Sequence, residues 1–287
     1  FDEIDDSLDQ KLSEIIFDGS EDDLRFTPNT QPALMAVSIA ITRILEYELK
    51  KKIPEFVNVV AGHSLGEYSA LCSINSLTLK DTAKLLRERG NSMQNAVKDI
   101  ETKMTAVIGP DLNKVEEIIK NCSLVDGEEC EIANDNCPGQ IIISGTASGV
   151  DKVADALKKD GARSLIDLNV SAPFHCSLMK SASLELKEII MNSKLEKLHT
   201  NFISNVTANY EKELEKIKEL LVEQIFSRVR WRETILLAEK SNVKVIEVGS
   251  GKVLTGINKR INRDIEVENI SNLVELDSFL EKNQKSL

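Results

Sequence analysis

The stretch Val57-Asn58-Val59-Val60-Ala61-Gly62-His63-Ser64-Leu65-Gly66-Glu67-Tyr68 constrains this chain more than any other. An apolar, β-branched run leads directly into Gly-His-Ser-Leu-Gly, and Tyr68-Ser69-Ala70-Leu71 continue with helical character, so the order is strand, sharp turn, helix. This is the context of a nucleophile elbow. Ser64 is expected on a strained turn, where a side chain at Gly62 or Gly66 would collide with neighbouring backbone. The helix that follows starts with unpaired N–H groups, that of Leu65 among them, aimed where an oxyanion would develop. The expected fold class is therefore α/β, with a hydrolase-like parallel-sheet core around Ser64.

The rest of the composition mainly excludes. At 287 residues, with 41% hydrophobic and 29% charged residues, the chain is long enough for one large or two smaller cores. No apolar run reaches membrane-spanning length and no charged-then-apolar leader opens the sequence, so a cytoplasmic protein without membrane contact is expected. Five cysteines, none in C-x-x-C spacing, argue against a disulfide scaffold and against a zinc site. The net charge is −11, and ten of the acids fall in residues 1–30 against only Lys11 and Arg25. That segment reads as a solvated helix and loop. Nucleic-acid binding is not expected, because no broad basic excess is available to neutralise phosphates.

Taken in order, Thr30-Gln31-Pro32 reads as the start of a helix whose first half is apolar nearly all round and which Pro54 stops. A second helix opens at the capping box Thr78-Leu79-Lys80-Asp81 and carries Ala83, Leu86, Gly90, Met93 and Val97 on one stripe. Between residues 104 and 168 the pattern becomes β-α-β-β-α-β, the ferredoxin-like order. We read it as an insertion, giving a large α/β domain at 1–100, a ferredoxin-like small domain at 101–172, and the rest of the large domain at 173–287. In the last part, a strand is expected at 202–206 and helices around 211–226 and 231–241. Val243–Val248 reads as the clearest buried strand of the sequence. Gly249-Ser250-Gly251-Lys252 invites a nucleotide reading and fails it. Leu254 stands where a third glycine belongs, and no Ser or Thr follows the lysine.

A serine hydroxyl becomes a nucleophile when a base takes its proton, and only three histidines can serve. His63 adjoins Ser64 on the turn, so its side chain should point away; it reads as support for the elbow. His199 has no feature that fixes it and reads as a surface or packed histidine. His175 follows Pro173 in a loop entering a helix, where a rigid backbone can set its direction. For the group that orients His175, the residues leave two options: Asp167, or a backbone carbonyl. Arg87 and Arg89 both lie beside the apolar stripe of the second helix, and periodicity does not choose between them.

Five blocks in order carry a more specific signal. They are Gly62 to Ala70; Arg89-Gly90-x-x-Met93-Gln94; Asn136-Cys137-Pro138-Gly139-Gln140; Ser171-Ala172-Pro173-Phe174-His175; and Gly249 to Gly256. Together they resemble the malonyl-CoA:acyl-carrier-protein transacylase family over essentially the whole chain. The resemblance implies that Ser64 forms the acyl-enzyme and His175 is base, then acid. It implies that Arg89, rather than Arg87, holds the malonyl carboxylate, and that the Leu65 N–H meets the oxyanion. Gln224, in Leu-Val-Glu-Gln-Ile-Phe, matches the position whose backbone carbonyl orients the histidine. Arginine suits its implied role because its planar fork pairs both carboxylate oxygens. Ser250 and Arg228 depart from the family, which often has proline there. The implied substrates and partners are malonyl-CoA, coenzyme A and acyl carrier protein, with no cofactor and no metal.

A serine esterase or thioesterase shares the elbow, as does a malonyltransferase serving polyketide synthesis; a carrier-docking module with a vestigial serine is a third class. The runs Arg228-Val-Arg-Trp-Arg232 and Lys259-Arg260 through Arg263 are candidate basic faces for an acidic carrier protein. Family members also begin with a strand ending in Gly-Gln-Gly-Ser-Gln, whose glutamine N–H is the second oxyanion donor. No such segment precedes Phe1, so the resemblance implies that the chain as written is slow or poorly folded until that strand is restored.

Overall fold

The computed structural model describes residues 1–241 and 243–283. Its acidic start forms three short helices, α1 (Asp2–Leu8), α2 (Leu12–Asp18) and α3 (Glu21–Arg25). Most of their acids are solvated, as expected. Asp5 is the exception: it is buried and accepts the N–H and the hydroxyl of Ser13 at 2.9 and 2.6 Å. Helix α4 (Thr27–Leu49) begins earlier than the Thr30-Gln31-Pro32 reading. Pro28 takes the first-turn position instead, which puts Pro32 inside the helix, and Thr30 turns its hydroxyl back to the Leu24 carbonyl at 2.5 Å. Next come α5 (Ile53–Phe56), the two-residue strand β1 (Val59–Val60), α6 (Gly66–Ser73) and α7 (Leu79–Asn95). The Thr78 hydroxyl accepts the Asp81 N–H at 3.0 Å, and the predicted stripe is buried, its last member Val97 lying just past the end of α7. Gly90 is where α7 crosses the start of α4, because a Cβ there would lie 2.5 Å from Pro28 Cα.

Strands β2 (Thr102–Ile108), β3 (Cys130–Cys137), β4 (Gln140–Thr146) and β5 (Ser164–Asp167) alternate with helices α8 (Leu112–Asn121) and α9 (Ala147–Lys159) in the predicted sequence of elements. They pair antiparallel in the order β3-β4-β2-β5. Val107, Val115, Ile141, Ile143, Val153 and Leu157 make a separate core between this sheet and its two helices.

The remaining chain is mostly helical: α10 (Lys180–Asn192), β6 (Asn201–Ile203), β7 (Tyr210–Glu211), α11 (Leu214–Gln224), α12 (Trp231–Glu239), β8 (Val245–Val248), α13 (Val253–Ile261), β9 (Val267–Ile270) and α14 (Leu273–Asn283). Strand β1 runs parallel to β6, with Val59 opposite Asn201 and Val60 opposite Phe202, while β7 is antiparallel to β6. Strand β8 runs parallel to β9. Among the described residues the parallel strands thus form two short sheets. The strand expected to be most buried, 243–248, starts at Val245 and is only half-buried, since β9 is its one strand partner among the described residues. The large core lies between helices and the β1–β6 pair, with Met35, Tyr68, Leu71, Leu86, Met93 and Phe202 at its centre. Among the described residues no helix is long and apolar enough to cross a membrane, and no group of three His, Cys, Asp or Glu is placed to hold a metal ion.

Candidate active site

Ser64 has φ +54°, in the left-handed region that a non-glycine residue enters at a cost. The turn closes through hydrogen bonds from Gly66 N–H to His63 O (2.9 Å) and from Glu67 N–H to Ser64 O (3.1 Å). The requirement for glycine at 62 is steric, because a Cβ there would lie 1.9 Å from the carbonyl carbon and oxygen of Gly66. The matching expectation for Gly66 is not met: a Cβ there would find nothing within 4 Å. It is the backbone of Gly66, not its missing side chain, that crowds the turn. Leu65 precedes the first turn of α6, and its N–H is bonded to nothing among the described residues.

The Ser64 hydroxyl lies 2.7 Å from His175 Nε2. Nδ1 of the same ring is 2.8 Å from the Gln224 carbonyl, an acceptor only, so Nδ1 carries the proton and Nε2 offers a lone pair to the serine. His175 is 3% exposed. Burial first, and then the nearby Arg89 charge, push its pKa down to about 3 against the opposing pull of the Gln224 carbonyl. At neutral pH the imidazole is therefore uncharged. Asp167 does not orient it; that carboxylate accepts from Thr105 Oγ1 at 2.8 Å and pairs with Lys103 at 2.8 Å on the outer face of β5. Of the two options, the backbone carbonyl occupies the position. His63 points away from Ser64, with Nε2 2.9 Å from Asn136 Oδ1 and its ring tilted against Trp231. His199 is exposed.

Arg89 is 2% exposed. Its Nη1 donates to Gln31 Oε1 at 2.5 Å, and its Nη2 to Gln224 Oε1 at 2.9 Å and to the Ser64 hydroxyl at 3.2 Å. All three partners are uncharged, and among the described residues Nε has none. Burial draws its pKa below the ordinary arginine value, with Tyr68 and Glu67 opposing. Arg87 turns elsewhere and donates to Asn29 Oδ1 at 2.7 Å. A cavity of about 450 Å³ opens over the group, lined by Gln31, Ser64, Leu65, Arg89, Val170 and Phe174 among others.

Three residues that the sequence did not single out complete the arrangement. Gln31 holds Arg89 from α4. Glu67, fully buried on α6, accepts the Gln224 side-chain N–H at 2.7 Å and the Asn205 backbone N–H at 2.6 Å. Burial outweighs both donors and raises its pKa to about 8. Asn205 sits just past the C-terminal end of β6, against the elbow. Its signal was there to read, since the carboxyl ends of parallel strands are where α/β sheets place their sites. The basic run at 228–232 is largely committed internally: Arg228 pairs with Glu116, Arg230 with Glu233 and Arg232 with Asp135, and Trp231 is buried. Lys259, Arg260 and Arg263 are exposed and line, with Arg163, a second cavity of about 430 Å³ beside the β3–β4 turn.

On an α/β fold, a strained serine whose hydroxyl rests on an uncharged imidazole defines the serine enzymes that work on acyl groups. Comparison of sequences narrows the class: the chain belongs to the acyl transferase domain family, whose model matches residues 2–283. It is similar to the malonyl CoA-acyl carrier protein transacylase of Bacillus subtilis (strain 168), 41% identical over 273 residues, covering 94% of this chain and 84% of that one. The Haemophilus influenzae transacylase of the same name is 37% identical, over 98% of this chain and 89% of its own. Among solved structures, the acyl-carrier-protein-S-malonyltransferase of Bartonella henselae superposes with a TM-score of 0.93 at 45% identity, covering 98% of this chain and 89% of that chain. A malonyl-transacylase in complex with its type II PKS acyl-carrier protein gives 0.92 at 33% identity, over 99% and 90%. The resemblance carried by the five sequence blocks is borne out.

Proposed function

We propose that this chain transfers a malonyl group from malonyl-CoA to the phosphopantetheine thiol of acyl carrier protein, through a malonyl ester on Ser64, in support of fatty acid synthesis. The observation that carries the proposal is Arg89, a buried cation with only neutral partners, 3.2 Å from the hydroxyl of a serine already bonded to histidine. Such a group suits a substrate that brings its own carboxylate. An esterase has no use for it.

In the first half-reaction the Ser64 Oγ attacks the thioester carbonyl carbon, and its proton passes to His175 Nε2. The Leu65 N–H meets the negative charge that develops on the carbonyl oxygen. As the C–S bond breaks, His175 returns the proton to the departing coenzyme A sulfur. The Gln224 carbonyl holds the Nδ1–H throughout, so the ring presents Nε2 in both directions. In the second half-reaction the carrier thiol gives its proton to His175 and attacks the ester, and Ser64 recovers its hydroxyl. Arg89 holds the malonyl carboxylate during both. The reading includes the domain division 1–100, 101–172 and 173–287, with the middle segment ferredoxin-like; its support is the strand order β3-β4-β2-β5 and a core of its own. It also includes a cytoplasmic setting, which the five free cysteines fit.

Mass spectrometry after mixing with malonyl-CoA tests the proposal. A malonyl ester on Ser64 that carrier thiol discharges is the expected result. Rapid loss to water would make the protein an esterase, and no adduct would make it a binding module.

A further inference from the structure

Behind the elbow lies an asparagine to which the chemistry above gives no part. Asn205 is fully buried, and its side-chain amide spans the turn: Oδ1 accepts the Ser64 N–H at 2.8 Å, and Nδ2 donates to the Gly62 carbonyl at 2.7 Å. Its backbone is held as well, with its N–H on Glu67 Oε1 at 2.6 Å and its carbonyl accepting the Arg230 N–H at 3.0 Å. The amide is thus fixed from its own strand end and grips the elbow on both sides of His63.

Two physical consequences follow. A left-handed non-glycine residue is strained and persists only where its surroundings over-determine it. The Asn205 amide supplies that restraint, one bond to the peptide group before His63 and one to the peptide group after it. The second consequence concerns donors. Two adjacent N–H groups, those of Ser64 and Leu65, lie at the start of α6; Asn205 engages the first, while the second is bonded to nothing among the described residues. One holds the turn and the other stays available to a ligand.

We propose that Asn205 is a positioning residue for acyl transfer, whose side-chain amide holds Ser64 in its left-handed turn and leaves the Leu65 N–H for the oxyanion. This rests on Ser64 being the nucleophile. The amide suits the position because it supplies a donor and an acceptor on one rigid plane. A carboxylate in its place offers no donor to the Gly62 carbonyl and sets a second acid against Glu67.

The test compares Asn205→Asp and Asn205→Ala with the unaltered chain, each transfer rate being divided by the fraction of molecules that malonyl-CoA acylates. Loss of one buried hydrogen bond predicts a fall in kcat per acylatable site of about tenfold for Asn205→Asp, and a larger one for Asn205→Ala. KM for malonyl-CoA should stay within about twofold, because Asn205 makes no bond to Arg89. A role in the fold alone would lower the acylatable fraction and leave kcat per site unchanged, and that outcome overturns the proposal. So does a rise in KM with unchanged kcat. If neither variant folds, hydrogen exchange on the unaltered chain decides: the Ser64 amide should exchange slowly and the Leu65 amide fast, and equal rates overturn the proposal. Absence of a malonyl ester on unaltered Ser64 would instead overturn the proposed function. An ester there with undiminished variants removes only Asn205.

Discussion

Arg89 Nη2 stands 3.2 Å from Ser64 Oγ, so a fixed cation and the hydroxyl proposed as nucleophile line the same cavity. Malonyl thioesters carry a free carboxylate a short, fixed distance from the carbon under attack, and acetyl thioesters do not. A guanidinium buried among Gln31, Gln224 and Ser64 keeps an unmet demand for negative charge, and leaving such a charge unpaired costs about 3–5 kcal/mol when it is fully enclosed. Arg89→Ala should therefore reduce malonyl transfer far more than any residual acetyl transfer. Equal losses with both donors would make Arg89 a structural residue.

Ser64→Ala should abolish transfer and the mass-spectrometric adduct together. His175→Ala should lower kcat by about a hundredfold to ten-thousandfold, since proton removal and proton return are both lost. Near-normal turnover in either variant would rule out a serine ester formed with histidine assistance.

The parts of this arrangement that were legible in the sequence share a physical feature: their geometry is set locally. Gly62 to Tyr68 fixes an elbow because adjacent residues determine a turn, and Pro173 ahead of His175 fixes a loop. Choosing Arg89 over Arg87 needed the family resemblance, because the two flank one stripe and only the packing of α7 on α4 separates them. Glu67 lies in the elbow stretch and Asn205 follows a parallel strand, but the contact that joins them spans 138 positions of sequence, and no local pattern pairs them. The helix start at Thr30-Gln31-Pro32 misled for a related reason. Two prolines offer the same local signal, and the contact of Gly90 with Pro28 belongs to the tertiary fold. Strand 243–248 reads as buried from composition alone, and its exposure depends on which strands pair beside it.

The pKa of His175, pushed down to about 3 from the usual 6.5, makes a prediction about stability. A group that is harder to protonate in the folded state adds stability that is complete above its unfolded pKa and is lost as pH falls toward its folded one. Glu67, raised to about 8, acts in the opposite sense between about pH 8 and 4.5, so the effect is read as a difference: in urea unfolding, the stability of His175→Phe relative to the unaltered chain should rise as pH falls from 6.5 to about 3. An identical slope in the variant would mean that other groups, Asp5 among them, account for the acid limb.

The last prediction concerns the carrier protein. Arg228, Arg230 and Arg232 are paired with Glu116, Glu233 and Asp135, so reversing their charge would break internal ion pairs as well as alter any docking face. Lys259, Arg260 and Arg263 are exposed around the second cavity, and among the described residues Arg260 is engaged by nothing stronger than the neutral Gln140 side chain at 3.0 Å. An acidic carrier protein would meet its complement there. Exposed charges at the rim of an interface act mainly through the rate of association and are screened by salt. Reversal of Lys259 and Arg263 to glutamate should raise KM for the carrier and make it less sensitive to ionic strength, while KM for malonyl-CoA stays as it was. An unchanged carrier KM at low salt would remove this face from the docking surface. A parallel rise for malonyl-CoA would assign the cations to the phosphates of coenzyme A instead.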